Sequence, residues 1–257
     1  MRSAPILLLT FLSRHRQLGA TAFLTSSKAI PFRACPSSFN SLGINLPASA
    51  TISSSSLGSL PSTSQVAADD FMKQLGHASQ IIPLLYTQNP DQNENQIIQI
   101  NNDILSEILA KQLSHSDGIR GFFAVYLTSP ESLTTEEVPP ILAEAVRGAD
   151  EEIFVPLACM NVLMPTAMTS IHQDPELQEC ASKTANNGKK ILRLVCDKDL
   201  VKRNCAAILN VCDGDARGCG SDVVDGDLIE HWKKFFVNYK YEEKQKQDIA
   251  AAIAEFC

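Results

Sequence analysis

The residues whose types could do chemistry lie mostly in the C-terminal half of this 257-residue chain. Asp213, Asp215 and Gly218 occupy the first, third and sixth places of a calcium loop. Arg217 takes the fifth place and Val224 the twelfth, so a cation replaces one ligand and the bidentate glutamate is missing. Cys196, Cys205, Cys212 and Cys219 follow one another at spacings of nine, seven and seven, which lacks the paired C-x-x-C of a structural zinc site. Cys205 and Cys212 would stand about 10 Å apart on one helix face, too far for a disulfide. Cys212 and Cys219 can meet across the intervening loop, and they are the candidate pair for a thiol redox switch. His77, His115, His172 and His231 have no partner at ligand spacing, and the chain carries no nucleophile elbow, Walker loop or dinucleotide-binding glycine motif. These spacings assign no catalytic residue, no metal ligand and no cofactor, and they lean away from an enzyme.

One polar set remains. The nineteen residues from Ile153 to Ile171 carry no charge, yet they include Asn161 and Thr166 and are followed by His172. A buried asparagine in an apolar helix needs partners, so Asn161, Thr166 and His172 are expected to form a polar network within the core or to line a pocket between helices. His172, just past the helix, would steady its C-terminus when protonated. The same stretch is long enough to cross a bilayer, but its prolines and polar residues and its acidic flanks favour a buried core helix over membrane contact. Met160, Met164 and Met168 recur every four residues, as pliable core packing does.

The elements that would position these groups are helices. Apolar residues recur at three-to-four spacing after Asp69: Phe71, Leu75, Ala78 and Ile82 on a first helix that Pro83 kinks or ends, then Ile97, Ile100, Ile104, Ile108 and Leu109 on a second. The run Gly118-Ile-Arg-Gly-Phe-Phe-Ala-Val-Tyr-Leu-Thr128 is read as a helix because no strand stands nearby to pair with it. Val138-Pro139-Pro140 opens a helix that Gly148 closes, Asp150 caps the next, and Asp174-Pro175-Glu176 opens another. Leu200, Val201, Cys205, Ile208, Leu209 and Cys212 share a face, a loop rich in Gly and Asp follows, and helices carrying Trp232 and Ile253 close the chain. About eight helices and no strand pair predict an all-α bundle.

The N-terminal 68 residues differ in kind. They hold five Lys or Arg, fifteen Ser and no Asp or Glu, the composition of an organelle transit peptide. A short apolar run, Pro5 to Leu12, precedes an Ala22-Phe23 junction and a Ser-rich stretch, which points to a plastid, with the mitochondrion as the alternative. The chain is therefore divided into a targeting and disordered segment, residues 1–68, and one helical domain, residues 69–257. That domain has 17 basic against 29 acidic side chains, net −12, which argues against nucleic acid and for a protein partner. Lys183, Lys189, Lys190 and Arg193 are its strongest local basic group and read as a solvated helix face. The cysteines, odd in number after residue 68, are expected to be reduced thiols.

Three segments, Gly121-Phe-Phe-Ala-Val-Tyr-Leu-Thr128, Glu136-Glu137-Val138-Pro139-Pro140 and Met160-Asn161-Val162-Leu163-Met164-Pro165-Thr166-Ala167-Met168, carry a likeness. Through them the region 118–195 resembles a small uncharacterised helical protein family of cyanobacteria and plastid-bearing organisms. The resemblance implies a helical body and a plastid location, and it supplies no chemistry.

Overall fold

The computed structural model describes residues 60–86, 102–213 and 225–257. Within them the chain forms eleven α-helices, where about eight were expected, and no strand, as the periodicity predicts. In chain order these are α1 (Thr63–Ala68), α2 (Phe71–Tyr86), α3 (Asn102–Gln112), α4 (Ser116–Tyr126), α5 (Pro130–Thr134) and α6 (Pro140–Arg147). Then come α7 (Glu151–Ile171), α8 (Pro175–Arg193), α9 (Asp199–Asp213), α10 (Gly226–Tyr239) and α11 (Glu243–Ile253), with a last 3-10 turn, Ala254–Phe256.

Local chemistry sets several boundaries where it was expected to. Asp150 accepts from the Glu152 amide at 3.0 Å, and Asp174 accepts from the Glu176 amide at 3.0 Å, each meeting an N–H that the helix itself cannot satisfy. Gly148 terminates α6. The expected kink or stop at Pro83 does not end α2, which continues to Tyr86 because Ile81, Ile82, Leu84 and Leu85 around the proline are all buried. On α3 the buried stripe is Leu105, Ile108, Leu109 and Gln112, whereas Ile104, placed on that face by spacing, is 49% exposed. Ile97 and Ile100 lie outside the described residues.

The domain begins earlier than Asp69. Ser62 forms a capping box with Gln65, the Ser62 side chain taking the Gln65 amide and the Gln65 side chain taking the Ser62 amide at 2.8 Å. Behind that cap Val66 is fully buried. Its carbonyl accepts from Gln74 Nε2 at 2.6 Å and from His115 Nε2 at 3.0 Å. His115 Nδ1 in turn accepts from the Gly118 amide at 3.2 Å, which puts the ring proton on Nε2. Ser62, at the end of the Ser-rich stretch, is here a helix cap.

Helix α7 is the centre of the body, packed most extensively on α8 and also against α11, α9 and α4. It buries Phe154, Val155, Leu157, Ala158, Cys159, Val162, Leu163 and Ala167, while Met160, Met164 and Met168 lie half-buried along a different face. A core of Phe122, Phe123, Phe154 and Trp232 completes the interior, with the Phe123 and Phe154 rings edge-on at 5.9 Å.

Two close approaches fix how the helices cross. A Cβ on Gly121 would lie 2.4 Å from Gln74 Cβ, so α4 meets α2 backbone to side chain there. A Cβ on Gly188 would lie 2.4 Å from the Asn161 carbonyl oxygen, so α8 meets the α7 backbone directly. The second approach has a cause in the sequence. Pro165 has no N–H, which leaves the carbonyl four residues earlier, that of Asn161, without its helical donor. Gly188 brings a Cα hydrogen to that carbonyl, a weak contact at the spot where the ladder is broken.

Candidate functional site

The feature with the most chemistry on show is an open groove of about 500 Å3 between the segment leading into α6 and the end of α8. Val138, Pro140, Ala143 and Leu194 supply apolar surface. Glu136 and Glu137 line it on the chain leading into α6, and Arg147, Lys190 and Arg193 bring three cations from the ends of α6 and α8.

A buried hydrogen-bonded chain sets the position of Lys190. Ser129 caps α5 by accepting from the Ser132 amide at 3.2 Å. The Ser132 hydroxyl donates to the Tyr126 carbonyl and accepts from Asn187 Nδ2 at 3.1 Å. Asn187, 2% exposed, also donates to the Leu127 carbonyl at 3.2 Å. Its Oδ1 accepts from Lys190 Nζ at 3.0 Å, and Lys190 Nζ donates to the Thr135 carbonyl at 2.6 Å. Two of the three ammonium donors thus go to neutral oxygens. No carboxylate among the described residues lies within 4.0 Å of Lys190, and burial pulls its pKa below the usual lysine value, with Glu136 opposing the shift and Arg193 adding to it. Arg193 pairs with Glu255 at 3.0 Å, an exposed contact worth little. Arg147 is exposed and makes no ion pair among the described residues.

The structure disperses the residues singled out by sequence. Asn161 stands half-buried, and what it offers the core is its backbone carbonyl against Gly188. Thr166 is buried, and its Oγ1 has no hydrogen-bond partner. His172 is the C-cap of α7, its amide donating to the Met168 carbonyl at 3.1 Å and its carbonyl accepting from Gln178 Nε2 at 2.7 Å. Burial lowers the His172 pKa, with Asp174 pulling weakly the other way, so its place favours the neutral ring over the protonated cap suggested by sequence. None of the three lines the groove.

Cys212 is a buried free thiol, pushed up to about 12 by burial first and by neighbouring Asp213 next. Cys219 lies outside the described residues, as does the calcium-like loop after Asp213. Cys159, Cys180, Cys196 and Cys205 are free as well, but Cys257 is disulfide-bonded, so the expectation of reduced thiols fails at the C-terminus. The two thiols in contact are Cys159 on α7 and Cys205 on α9, both fully buried and hydrogen-bonded to each other, which raises the Cys159 pKa together with burial. Among the described residues no three His, Cys, Asp or Glu side chains gather to hold a metal ion.

Sequence reasoning missed Asn187. It also missed Asn204, fully buried, whose Oδ1 accepts from Trp232 Nε1 at 3.0 Å and whose Nδ2 donates to the Leu200 carbonyl at 2.8 Å. A helix wheel could have found both, since each falls on its helix's buried face. Lys190 and Arg193 were noticed as a basic group, but spacing could not show that Glu136 to Pro140, part of the family likeness, would lie across from them.

No curated protein and no solved structure matches the chain. A family model matches residues 91–256, wider at both ends than the region 118–195 and including the cysteine-bearing α9. By the extent of that match, the chain belongs to the family described as Uncharacterised conserved protein UCP020893.

Proposed function

We propose that this chain is a plastid-addressed helical module that works by docking a protein partner. The observation that carries this reading is the make-up of the groove: apolar surface from Val138, Pro140, Ala143 and Leu194 beside two acids and three bases. Apolar centres with charged rims of both signs are how protein surfaces obtain affinity and orientation together. The acidic body supports a protein partner over nucleic acid, because its charge repels a phosphate backbone. The acid-free leader supports the plastid as the compartment, with the mitochondrion as the competing destination.

Two measurements test this. A fluorescent protein fused behind residues 1–68 should accumulate in plastids, and a cytosolic or mitochondrial signal overturns the address. A photo-crosslinking side chain placed at Val138 of the full chain, imported into isolated plastids, should yield a discrete adduct that weakens with Arg193→Glu. Recovery of the chain without any adduct, from Val138 or from a distant control at exposed Met72, overturns the docking role.

A further inference from the structure

We infer that the groove takes an extended peptide segment of the partner in which one Asp or Glu is flanked by apolar residues, the carboxylate seating on Lys190 between Arg147 and Arg193. This rests on the reading of the chain as a docking module and names what the partner presents.

The argument starts from Lys190. A partly buried ammonium that meets only neutral acceptors is costly relative to one with a counter-charge. Of its charged neighbours Glu136 favours its charging and Arg193 opposes it, and no carboxylate among the described residues comes within 4.0 Å of the ammonium. Evidence that the position is imposed rather than relaxed comes from Asn187, whose buried amide is spent on Leu127, Ser132 and Lys190 together. The chain of bonds from Tyr126 through Ser132 and Asn187 therefore holds one N–H of Lys190 free, beside two arginine guanidiniums that line the same groove. A ligand carboxylate supplies what Lys190 lacks, a negatively charged acceptor in direct contact.

Two further observations narrow the ligand. Glu136 and Glu137 line the groove together with the three cations, leaving it a net charge of about +1, which accepts a single carboxylate, while the acidic body around it disfavours a polyanion such as a phosphate backbone. Val138, Pro140, Ala143 and Leu194 present apolar surface on which only a ligand with apolar neighbours to its carboxylate gains by burial. A peptide with one acid between apolar side chains meets both conditions.

The test uses the full chain and three fluorescein-labelled heptapeptides of sequence Gly-Leu-Val-X-Val-Leu-Gly, with X as Glu, Gln or Lys, followed by fluorescence anisotropy. The Glu peptide should bind at least tenfold more tightly than the Gln peptide, and the Lys peptide should bind more weakly still. Lys190→Met should reduce binding of the Glu peptide at least tenfold. Arg147→Gln, an exposed change outside the Asn187 network, should reduce it about threefold without altering the melting temperature. Equal binding of the Glu and Gln peptides, or no binding up to about 1 mM, overturns the assignment. Propionate displacing the labelled peptide as effectively, mole for mole, as unlabelled Glu peptide overturns it too, in favour of a free small carboxylate. If the peptides fail while the plastid crosslink persists, this inference falls and the docking role stands; loss of both removes the docking role itself.

Discussion

Replacing one glycine by alanine should destabilise this protein at one helix position and stabilise it at another, and the difference is readable from the close approach of α7 and α8. In an exposed helix interior Gly→Ala stabilises by about 0.8–1 kcal/mol, because alanine loses less backbone freedom on folding. Gly76 on α2 is exposed with nothing within 4 Å of an added Cβ, so Gly76→Ala should gain about 0.5–1 kcal/mol. At Gly188 the same methyl would stand 2.4 Å from the Asn161 oxygen, 2.9 Å from its carbonyl carbon and 3.3 Å from the Val162 nitrogen. All three are backbone atoms of a central helix and cannot rotate away. Restoring an ordinary carbon-to-oxygen separation of about 3.3–3.6 Å requires α7 and α8 to part locally by about 1 Å, the overpacking regime of about 1–3 kcal/mol. After the propensity gain is offset, Gly188→Ala should cost about 1 kcal/mol. Urea unfolding of the two variants beside the parent measures this as midpoints displaced in opposite directions at unchanged slope. In thermal melts the Gly188→Ala loss corresponds to about 2–4 °C for a domain of this size. A Gly188→Ala protein as stable as its parent, or more so, refutes the argument that the α7–α8 crossing is set by backbone contact at Asn161.

Three other outcomes follow from side chains already described. Trp232→Phe should cost about 2–4 kcal/mol, because it deletes buried volume and leaves Asn204 Oδ1 without its donor; the parent's single tryptophan, fully buried, should emit at short wavelength, and the two-variant cycle with Asn204→Ala in urea should show coupling between the pair. Thr166→Val should leave stability unchanged or raise it by up to about 1 kcal/mol, since the buried hydroxyl has no partner to lose; a loss above about 1 kcal/mol in the same titration would falsify the view of Thr166 as an unmet polar group. Burial lowers the pKa of both His172 and His231, so as pH falls through the unfolded value near about 6.5 the unfolded state takes up protons first and stability drops between about pH 7 and 5. His231→Gln should flatten that slope, and an unchanged slope in the variant excludes His231 as a contributor.

Cysteine reactivity offers a fourth check. Half-buried Cys180 and Cys196 should be alkylated by iodoacetamide well before Cys212, whose thiol burial holds near about 12, and before Cys159 and Cys205 within the core. Peptide mapping by mass spectrometry gives the order, and early labelling of Cys212 contradicts its placement.

What the sequence revealed and what it hid divide along the range of the interactions involved. Helix ends such as Asp150, Gly148 and Asp174 were legible because capping is settled within three or four residues. The all-helical body was legible because each helix carries its own apolar stripe. The groove was not, because Glu136 and Lys190 meet across more than fifty residues of chain and only the folded body brings α6 and the end of α8 together. Cys159 and Cys205 escaped for the same reason: spacing compares neighbours along the chain, and these two touch across α7 and α9. Asn161 shows a subtler limit. Its side chain drew attention as a polar group in an apolar helix, whereas Pro165 four residues on had already made its carbonyl the group in need of a partner.

The short helix α1 ties the end of the acid-free segment to the folded body. Val66 fills a fully buried position, and its carbonyl satisfies both the Gln74 amide and the His115 ring. A processing protease that cut at the change of composition near Asp69 would strip that plug and leave His115 Nε2 short of an acceptor inside the body. If the acid-free segment is a cleaved address, as proposed, a cut that keeps α1 whole falls before its Ser62 cap, several residues ahead of the first acidic side chain.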